Sequence, residues 1–98
     1  MTSKHLFHEE ARKEFDEATD FYAMERAPLG RAFVSAVERS VVHAAEYPES
    51  GTLVRGGVRK IRVERFPYSL LYTIVDDCIR ILAVAHDRRR PFYWGDRD

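Results

Sequence analysis

The side chains best suited to chemistry gather in one stretch, His86–Arg97, which reads HDRRRPFYWGDR. It holds one histidine, four arginines and three aromatic rings. Histidine can exchange a proton near neutral pH, and arginine can bind a carboxylate or a phosphate through two parallel hydrogen bonds. The stretch therefore either packs on the fold with its charges in solvent, or it forms the functional site of the molecule.

The charge distribution favours a local basic surface over a generally basic protein. The 98 residues carry 16 Lys and Arg against 16 Asp and Glu, a net charge of zero. Residues 1–50 hold six basic and ten acidic side chains, net −4, while residues 51–98 hold ten and six, net +4. A neutral whole argues against bulk nucleic-acid binding. The basic half predicts a surface for phosphates, carboxylates or an acidic partner.

Length and composition predict one domain over residues 1–98. The single cysteine, Cys78, excludes a disulfide within the chain. No apolar run is long enough to cross a membrane and the first residues lack an apolar signal core, so we expect a cytoplasmic protein without membrane contact. His5 and His8 have no second pair of ligands nearby, so we expect no metal. No phosphate loop or nucleophile elbow is present, and no cofactor is expected.

Hydrophobic spacing predicts the element order β-α-α-β-β-β. The predicted elements are a strand over 4–8, helices over 9–26 and 28–46, and strands over 58–65, 68–75 and 78–85. Ala27 precedes Pro28 and is expected to leave helical geometry. Short connections predict an antiparallel helical hairpin and an antiparallel meander, and the last strand is apolar on both faces, as in a sheet interior. The expected fold class is α+β, with two layers: the helical hairpin packed on a small, mostly antiparallel sheet.

The apolar stripes of the helices indicate where the core lies and which residues avoid it. Phe15 and Phe33 recur at helical spacing and are expected to anchor the core. Most acidic residues of the first helix, Glu14 among them, fall off that stripe. In the last strand, alternation places His86 on the same side as Leu82 and Val84. Basic residues line either face of the first long strand, with Arg59 and Arg65 on one side and Lys60 and Arg62 on the other.

Several segments together resemble the RelE/ParE superfamily of bacterial type II toxin–antitoxin toxins, often labelled plasmid stabilisation proteins. The resemblance covers almost the whole chain. It also matches the β-α-α-β-β-β order that the spacing predicts independently. The segments are Phe21-Tyr22, LGRAF at 29–33, Tyr47-Pro48, RFPYSLLY at 65–72 and AVAHDRRRPFYW at 83–94, followed by Arg97.

The resemblance implies a toxin that inhibits growth unless a cognate antitoxin neutralises it, and it implies two possible targets. ParE-like members poison DNA gyrase, whereas RelE-like members enter the ribosomal A site and cut mRNA as metal-independent endoribonucleases. A third hypothesis is a binding module that has lost toxicity and only titrates an antitoxin. The neutral chain, the uncharged strand 69–75 and the His-x-Arg-Arg-x-Pro-x-Tyr-Trp ending favour the gyrase inhibitor, which is not an enzyme.

Each target assigns roles to particular side chains. For RNA cleavage, His86 would be the acid or base, while Arg59, Lys60, Arg62 and Arg65 would hold the phosphate and Tyr93 or Trp94 would stack a base. The residues predicted to bind the target or the antitoxin are Arg59, Lys60, Arg62, Arg65, Arg88, Arg89, Arg90, Tyr93, Trp94 and Arg97. Arg89 is expected to turn inward, and the aromatic run is expected either to clasp the core or to bind a partner.

The expected antitoxin is acidic and lies over the basic half as an amphipathic helix or strand. The gene beside this one is expected to encode it. A homodimer and a toxin–antitoxin hetero-oligomer are both left open by the sequence.

Overall fold

The computed structural model describes residues 4–97, and its elements follow the predicted order with one added strand. The strands are β1 (Lys4–Phe7), β2 (Thr52–Leu53), β3 (Arg59–Arg62), β4 (Tyr68–Val75) and β5 (Cys78–His86), and the helices are α1 (Glu9–Glu25) and α2 (Ala27–Glu46), with a short 3-10 turn at Pro48–Ser50. The predicted α+β class is confirmed, with a helical hairpin on a mostly antiparallel sheet.

The two helices are separated by a single extended residue. His8 caps α1, because its Nδ1 accepts a hydrogen bond of 3.0 Å from the Glu10 amide. Arg26 is extended at φ −160°. The prediction that Ala27 leaves helical geometry is wrong: Ala27 begins α2, since Pro28 then lies in the first turn, where no backbone donor is needed.

Within residues 4–97, no helix is both long and apolar enough to cross a membrane, and the cytoplasmic location stays a prediction.

The helical hairpin closes on an aromatic core. Phe33 is fully buried, and its ring lies 5.1–6.0 Å, centroid to centroid, from the rings of Phe15, Tyr22, Phe66 and Tyr68. The expectation that Phe15 and Phe33 anchor the core is confirmed, because both side chains belong to the buried cluster between the helices and the sheet.

The sheet has the strand order β1-β5-β4-β3-β2. β1 runs parallel to β5 at one edge, and the other neighbouring pairs are antiparallel. β3 is shorter than predicted because turns bound it on both sides: Gly56 and Gly57 have positive φ before it, and Arg65 has φ +75° after it. β2 has only two residues, so it is too short for a hydrophobic period to predict it from the sequence.

A β-bulge in β5 divides its apolar residues between the two faces of the sheet. Leu71 pairs with Ala83 and Tyr72 pairs with Ile81, which leaves Leu82 as the extra residue. Ile81 and Val84 consequently belong to the core under the helices, whereas Leu82 belongs to a second cluster. The predicted alternation that put Leu82 and Val84 on one side is wrong at this point.

The second cluster lies on the face of the sheet away from the helices, and the last described residues cover it. Trp94 is 6% exposed and packs with Val58, Leu71, Leu82 and Ala85. Residues 87–97, which we call the tail, therefore act as a partial third layer, and the burial of Trp94 agrees with the expectation that the aromatic run clasps the core.

Replacing Phe33 by alanine tests the aromatic core. Because the fully buried ring would leave a cavity, the free energy of unfolding should fall by about 3–5 kcal/mol. Phe21→Ala is the matched control, since that ring is 59% exposed and its loss should change stability by about 0.5 kcal/mol or less. Urea unfolding followed by circular dichroism measures both, and equal losses would contradict the described core.

Candidate functional site

The tail and the open face of the sheet enclose a pocket of about 370 Å³, which we call the sheet pocket. Its floor contains the apolar side chains of Leu71, Ala85 and Trp94. Its basic side chains come from β3 and from the tail, and they are Lys60, Arg62, Arg89 and Arg90. The structure thus brings together two groups of predicted binding residues that lie about thirty positions apart in the sequence. His86 and Tyr93 line the same pocket.

Four of the predicted binding residues do not line this pocket, and they are Arg59, Arg65, Arg88 and Arg97. Arg59 is half-buried, and its Nη1 donates to the carbonyls of Glu49 (3.2 Å) and Gly51 (2.9 Å). Arg65 is exposed in the turn after β3. Arg88 is also exposed, and its backbone amide contacts His86. Arg59 therefore anchors the chain after α2.

The first residue of the tail is paired with β3. Arg62 Nη1 lies 2.8 Å from Asp87 Oδ1, and the Asp87 amide donates to the Pro67 carbonyl at 2.9 Å. Both side chains of the ion pair are substantially exposed, so water and salt screen it and it stabilises the fold little. Arg62 therefore lines the pocket with its charge already paired to Asp87.

His86 has one ring nitrogen engaged. Its Nδ1 accepts a hydrogen bond of 3.0 Å from the Arg88 amide, which assigns the proton of the neutral ring to Nε2. The ring also packs edge-on against Tyr68 with centroids 5.0 Å apart. The histidine thus has the local hydrogen bond of a structural residue, and its Nε2–H is left as a hydrogen-bond donor.

Glu14 forms the densest polar cluster of the described chain, although the sequence places it off the apolar stripe. Its side chain is only 13% exposed. Oε1 accepts hydrogen bonds of 3.0 Å from the Val84 amide and from Arg97 Nη1. Oε2 accepts from Tyr93 Oη at 2.8 Å and lies 2.9 Å from Arg97 Nη2. Arg89 Nη1 lies 3.9 Å from the same oxygen and its guanidinium stacks over Tyr93, but its side chain stays 52% exposed, so the expected inward turn of Arg89 is only partial. We call these residues the Glu14 cluster.

The cluster completes an edge of the sheet that β1 leaves uncovered. β1 pairs with β5 only as far as Ile81, so the next backbone groups on that edge have no strand partner. Glu14 accepts from the Val84 amide, and Arg97 donates to the Leu82 carbonyl at 3.0 Å. Two side chains therefore satisfy backbone groups that would otherwise be buried without hydrogen bonds. In the sequence, Glu14 follows Ala11 by three positions and precedes Ala18 by four, which places it beside the buried face of α1 but does not show what it contacts there.

The electrostatics of the cluster are seen in two pKa shifts. Burial raises the pKa of Tyr93 well above its ordinary value, and the hydrogen bond and negative charge of Glu14 raise it further. Burial alone would lower the pKa of Arg97, but the hydrogen bond and charge of Glu14 outweigh it and raise that pKa. Both residues therefore stay protonated and act as donors to the carboxylate.

Two further features of the pocket, at Ser69 and Phe92, could not be predicted from the sequence. The Ser69 hydroxyl is buried beside the pocket and has no hydrogen-bond partner among the described residues. Phe92 has φ +62°, an uncommon conformation for a bulky side chain, and the Arg55 guanidinium stacks 3.8 Å from its ring centroid. Nothing in the sequence of β4 or of the tail distinguishes either residue.

Residues 4–97 contain no group of three or more His, Cys, Asp or Glu side chains that could hold a metal ion. His8, which the sequence analysis considered for this role, caps α1. The chemistry that the site can offer is hydrogen-bond donation, positive charge and aromatic surface.

This architecture is that of the RelE/ParE superfamily of toxins. Residues 6–91 match the family described as the ParE toxin of the type II toxin–antitoxin system parDE, so the chain belongs to this family. The comparison with curated proteins gives no match.

Two solved structures show the shared fold. The chromosomal ParDE system from P. aeruginosa contains a chain that aligns with a TM-score of 0.73 at 20% identity, over 86% of this chain and 95% of that one. A double mutant of the E. coli toxin RelE in the free state aligns with a TM-score of 0.65 at 22% identity, over 90% of this chain and 86% of that one.

Removing the Tyr93 hydroxyl tests the Glu14 cluster. Tyr93→Phe should lower the free energy of unfolding by about 1–2 kcal/mol near neutral pH, since a half-buried hydrogen bond to a carboxylate is lost. Because the folded-state pKa is raised, this stability is fully present below the unfolded pKa of about 10 and is lost as the pH rises further. The difference from the wild type should therefore shrink in alkaline solution.

Urea unfolding near neutral pH and above about pH 10 measures this difference. Tyr47→Phe is the control, because the Tyr47 side chain is 60% exposed and no effect is expected there. A Tyr93→Phe difference that is the same at both pH values would show that Tyr93 is not held protonated by the cluster.

Proposed function

We propose that this chain is a single toxin domain that inhibits DNA gyrase and that a cognate acidic antitoxin neutralises it. The family match over residues 6–91 carries this proposal. The candidate surface is the sheet pocket together with the tail, where exposed arginines and aromatic rings lie side by side. Such residues commonly dominate the binding energy of protein interfaces.

The arrangement of the pocket supports a binding role over RNA cleavage. The strand in the middle of the pocket, β4, contributes Ser69 and Leu71 and no charged side chain. Of the arginines assigned to an RNA phosphate, Arg59 donates to backbone carbonyls and Arg62 has Asp87 at 2.8 Å. Stabilising the charge of a phosphoryl transition state requires several cationic side chains that have no other partner and that all face the phosphate.

A ribosome-dependent endoribonuclease is the alternative. It is favoured by the meeting of His86, Arg62 and Tyr93 in one pocket and by the fold shared with RelE. In that enzyme His86 would have to release the Arg88 amide from Nδ1 before it could act as acid or base, and Tyr93 would be a neutral side chain. A third possibility is a module that only titrates its antitoxin, in which neither target would respond.

The antitoxin is proposed to lay an acidic segment over the sheet pocket. Lys60 and Arg90 line the pocket, are exposed and form no ion pair within residues 4–97. Their charges can therefore pair with carboxylates of a partner without breaking an existing contact. The apolar floor beneath them suits the apolar side of an amphipathic segment.

The gyrase assay tests the proposed target. Purified gyrase, ATP and circular plasmid are incubated with and without this protein, and supercoiling and linear DNA are measured. Loss of supercoiling with accumulation of linear DNA is expected. His86→Ala should abolish mRNA cleavage in an enzyme, whereas gyrase inhibition should persist at least in part, because His86 lines the pocket but transfers no proton in a gyrase inhibitor.

Gyrase that works normally while the fresh protein still stops growth would contradict the proposal and would identify the ribosome as the next target. If neither gyrase nor translation responds, the titrating module is the correct alternative.

Charge reversal in the pocket tests the antitoxin interface. Lys60→Glu and Arg90→Glu should each weaken the complex with the small acidic protein encoded beside this one by about tenfold, equivalent to about 1.4 kcal/mol. Arg59 is unsuitable for this test, because glutamate there would remove the bonds to Glu49 and Gly51. Arg31→Glu, at an exposed position on α2, is the control with the same charge change. Calorimetry measures the affinities, and equal values for all variants would place the interface elsewhere.

A further inference from the structure

Beyond Asp87, the tail has no backbone hydrogen bond to the rest of the described chain except the one from the Arg89 amide to the His86 carbonyl at the end of β5. The amides of Arg89, Tyr93, Gly95 and Arg97 donate to carbonyls three residues earlier. These bonds join the tail to itself or to His86 at its start, and none reaches β3, β4 or α1. The position of the tail over the sheet therefore depends on side chains.

Besides the exposed Arg62–Asp87 ion pair and the hydrogen bond from Arg97 to the Leu82 carbonyl, three side-chain contacts hold the tail. Trp94 packs into the second apolar cluster, and Arg55 stacks on Phe92 at one margin of the tail. At the other margin Tyr93 and Arg97 bind Glu14. Apolar burial has no direction, whereas the hydrogen bonds to Glu14 set both the distance and the orientation of the tail.

We propose that Glu14 is the positioning residue of the partner-binding surface. It does not line the sheet pocket, and it acts by fixing Tyr93 and Arg97, so that Arg89, Arg90 and Phe92 form one wall of that pocket. The inference rests on the proposed function in one respect: the sheet pocket and the tail must be the surface that meets the target or the antitoxin.

The geometry requires a carboxylate at this position. The two oxygens of Glu14 face only donors: the Val84 amide, Tyr93 Oη and the two terminal nitrogens of Arg97. In glutamine, one oxygen becomes an NH₂ group, which would oppose at least one of these donors. Arg97 is also only 13% exposed, so a neutral partner would leave its guanidinium buried without a counter-charge. We expect Arg97 then to leave its bond to the Leu82 carbonyl as well, to move into water and to take the tail with it.

Glu14→Gln tests the proposal through the one tryptophan of the chain, Trp94. Its emission should shift to longer wavelength and acrylamide should quench it more strongly, at a temperature where far-ultraviolet circular dichroism is unchanged. Glu17→Gln is the matched control, with the same chemical change at an exposed position on α1 that has no hydrogen bond or ion pair in the described chain. It should behave as the wild type does.

Arg97→Gln tests the same contact from the tail, where no helix packing is altered. It should expose Trp94 as much as Glu14→Gln does. The double variant should show no further effect, because either change alone already breaks the contact. Additive effects of the two changes would overturn the proposal. Trp94 exposure that begins only at the global melting transition would also overturn it, since Glu14 would then be a general stabilising residue.

The consequence for binding is measured separately. Glu14→Gln should weaken gyrase inhibition and antitoxin binding by about tenfold or more, the scale of one lost charge-assisted hydrogen bond, although Glu14 lies outside the pocket. If Trp94 becomes exposed but the two affinities do not change, the tail is positioned by Glu14 and is not the binding surface. That result would overturn the proposal. If the wild type itself leaves gyrase untouched, the proposed target fails, while fluorescence and antitoxin binding still test the role of Glu14.

Discussion

A carboxylate buried at the edge of a sheet connects parts of this chain that are distant in sequence. Glu14 lies in the first helix, and its partners Val84, Tyr93 and Arg97 follow 70 to 83 positions later. A buried carboxylate is costly unless donors surround it, and here they do. The same contact covers the part of β5 that β1 does not reach and holds the tail across the open face. The edge of the sheet and the shape of the pocket thus depend on one side chain.

The sheet buries apolar residues on both of its faces, and a bulge in β5 decides which residues face which side. Leu82 is the extra residue and faces the tail, while Ile81 and Val84 stay under the helices. Strict alternation would instead place Val84 on the same face as Leu82. The tail is the layer that covers the second cluster, and Trp94 is its apolar centre.

Periodicity predicted the elements whose residues pack by a regular rule and missed features that depend on tertiary neighbours. β4 was predicted at its observed bounds, 68–75, because its alternation is undisturbed. The strand expected over 58–65 is limited to Arg59–Arg62 by turns of positive φ. Lys60 and Arg62 were correctly placed together on one face with the tail arginines near them. Glu14 could not be assigned, since its role exists only where β1 ends beside β5.

The two layers of the fold also separate the charges of the molecule. The half with net charge −4 forms β1, α1 and α2, and the half with net charge +4 forms the remaining strands and the tail. A protein with no net charge therefore carries most of its negative charge on the helical side and most of its positive charge on the strands and the tail. An acidic partner approaching through dilute salt would be turned towards the pocket before contact, and a basic one towards the helices. Neutrality here describes the sum of the charges and not the field around the molecule.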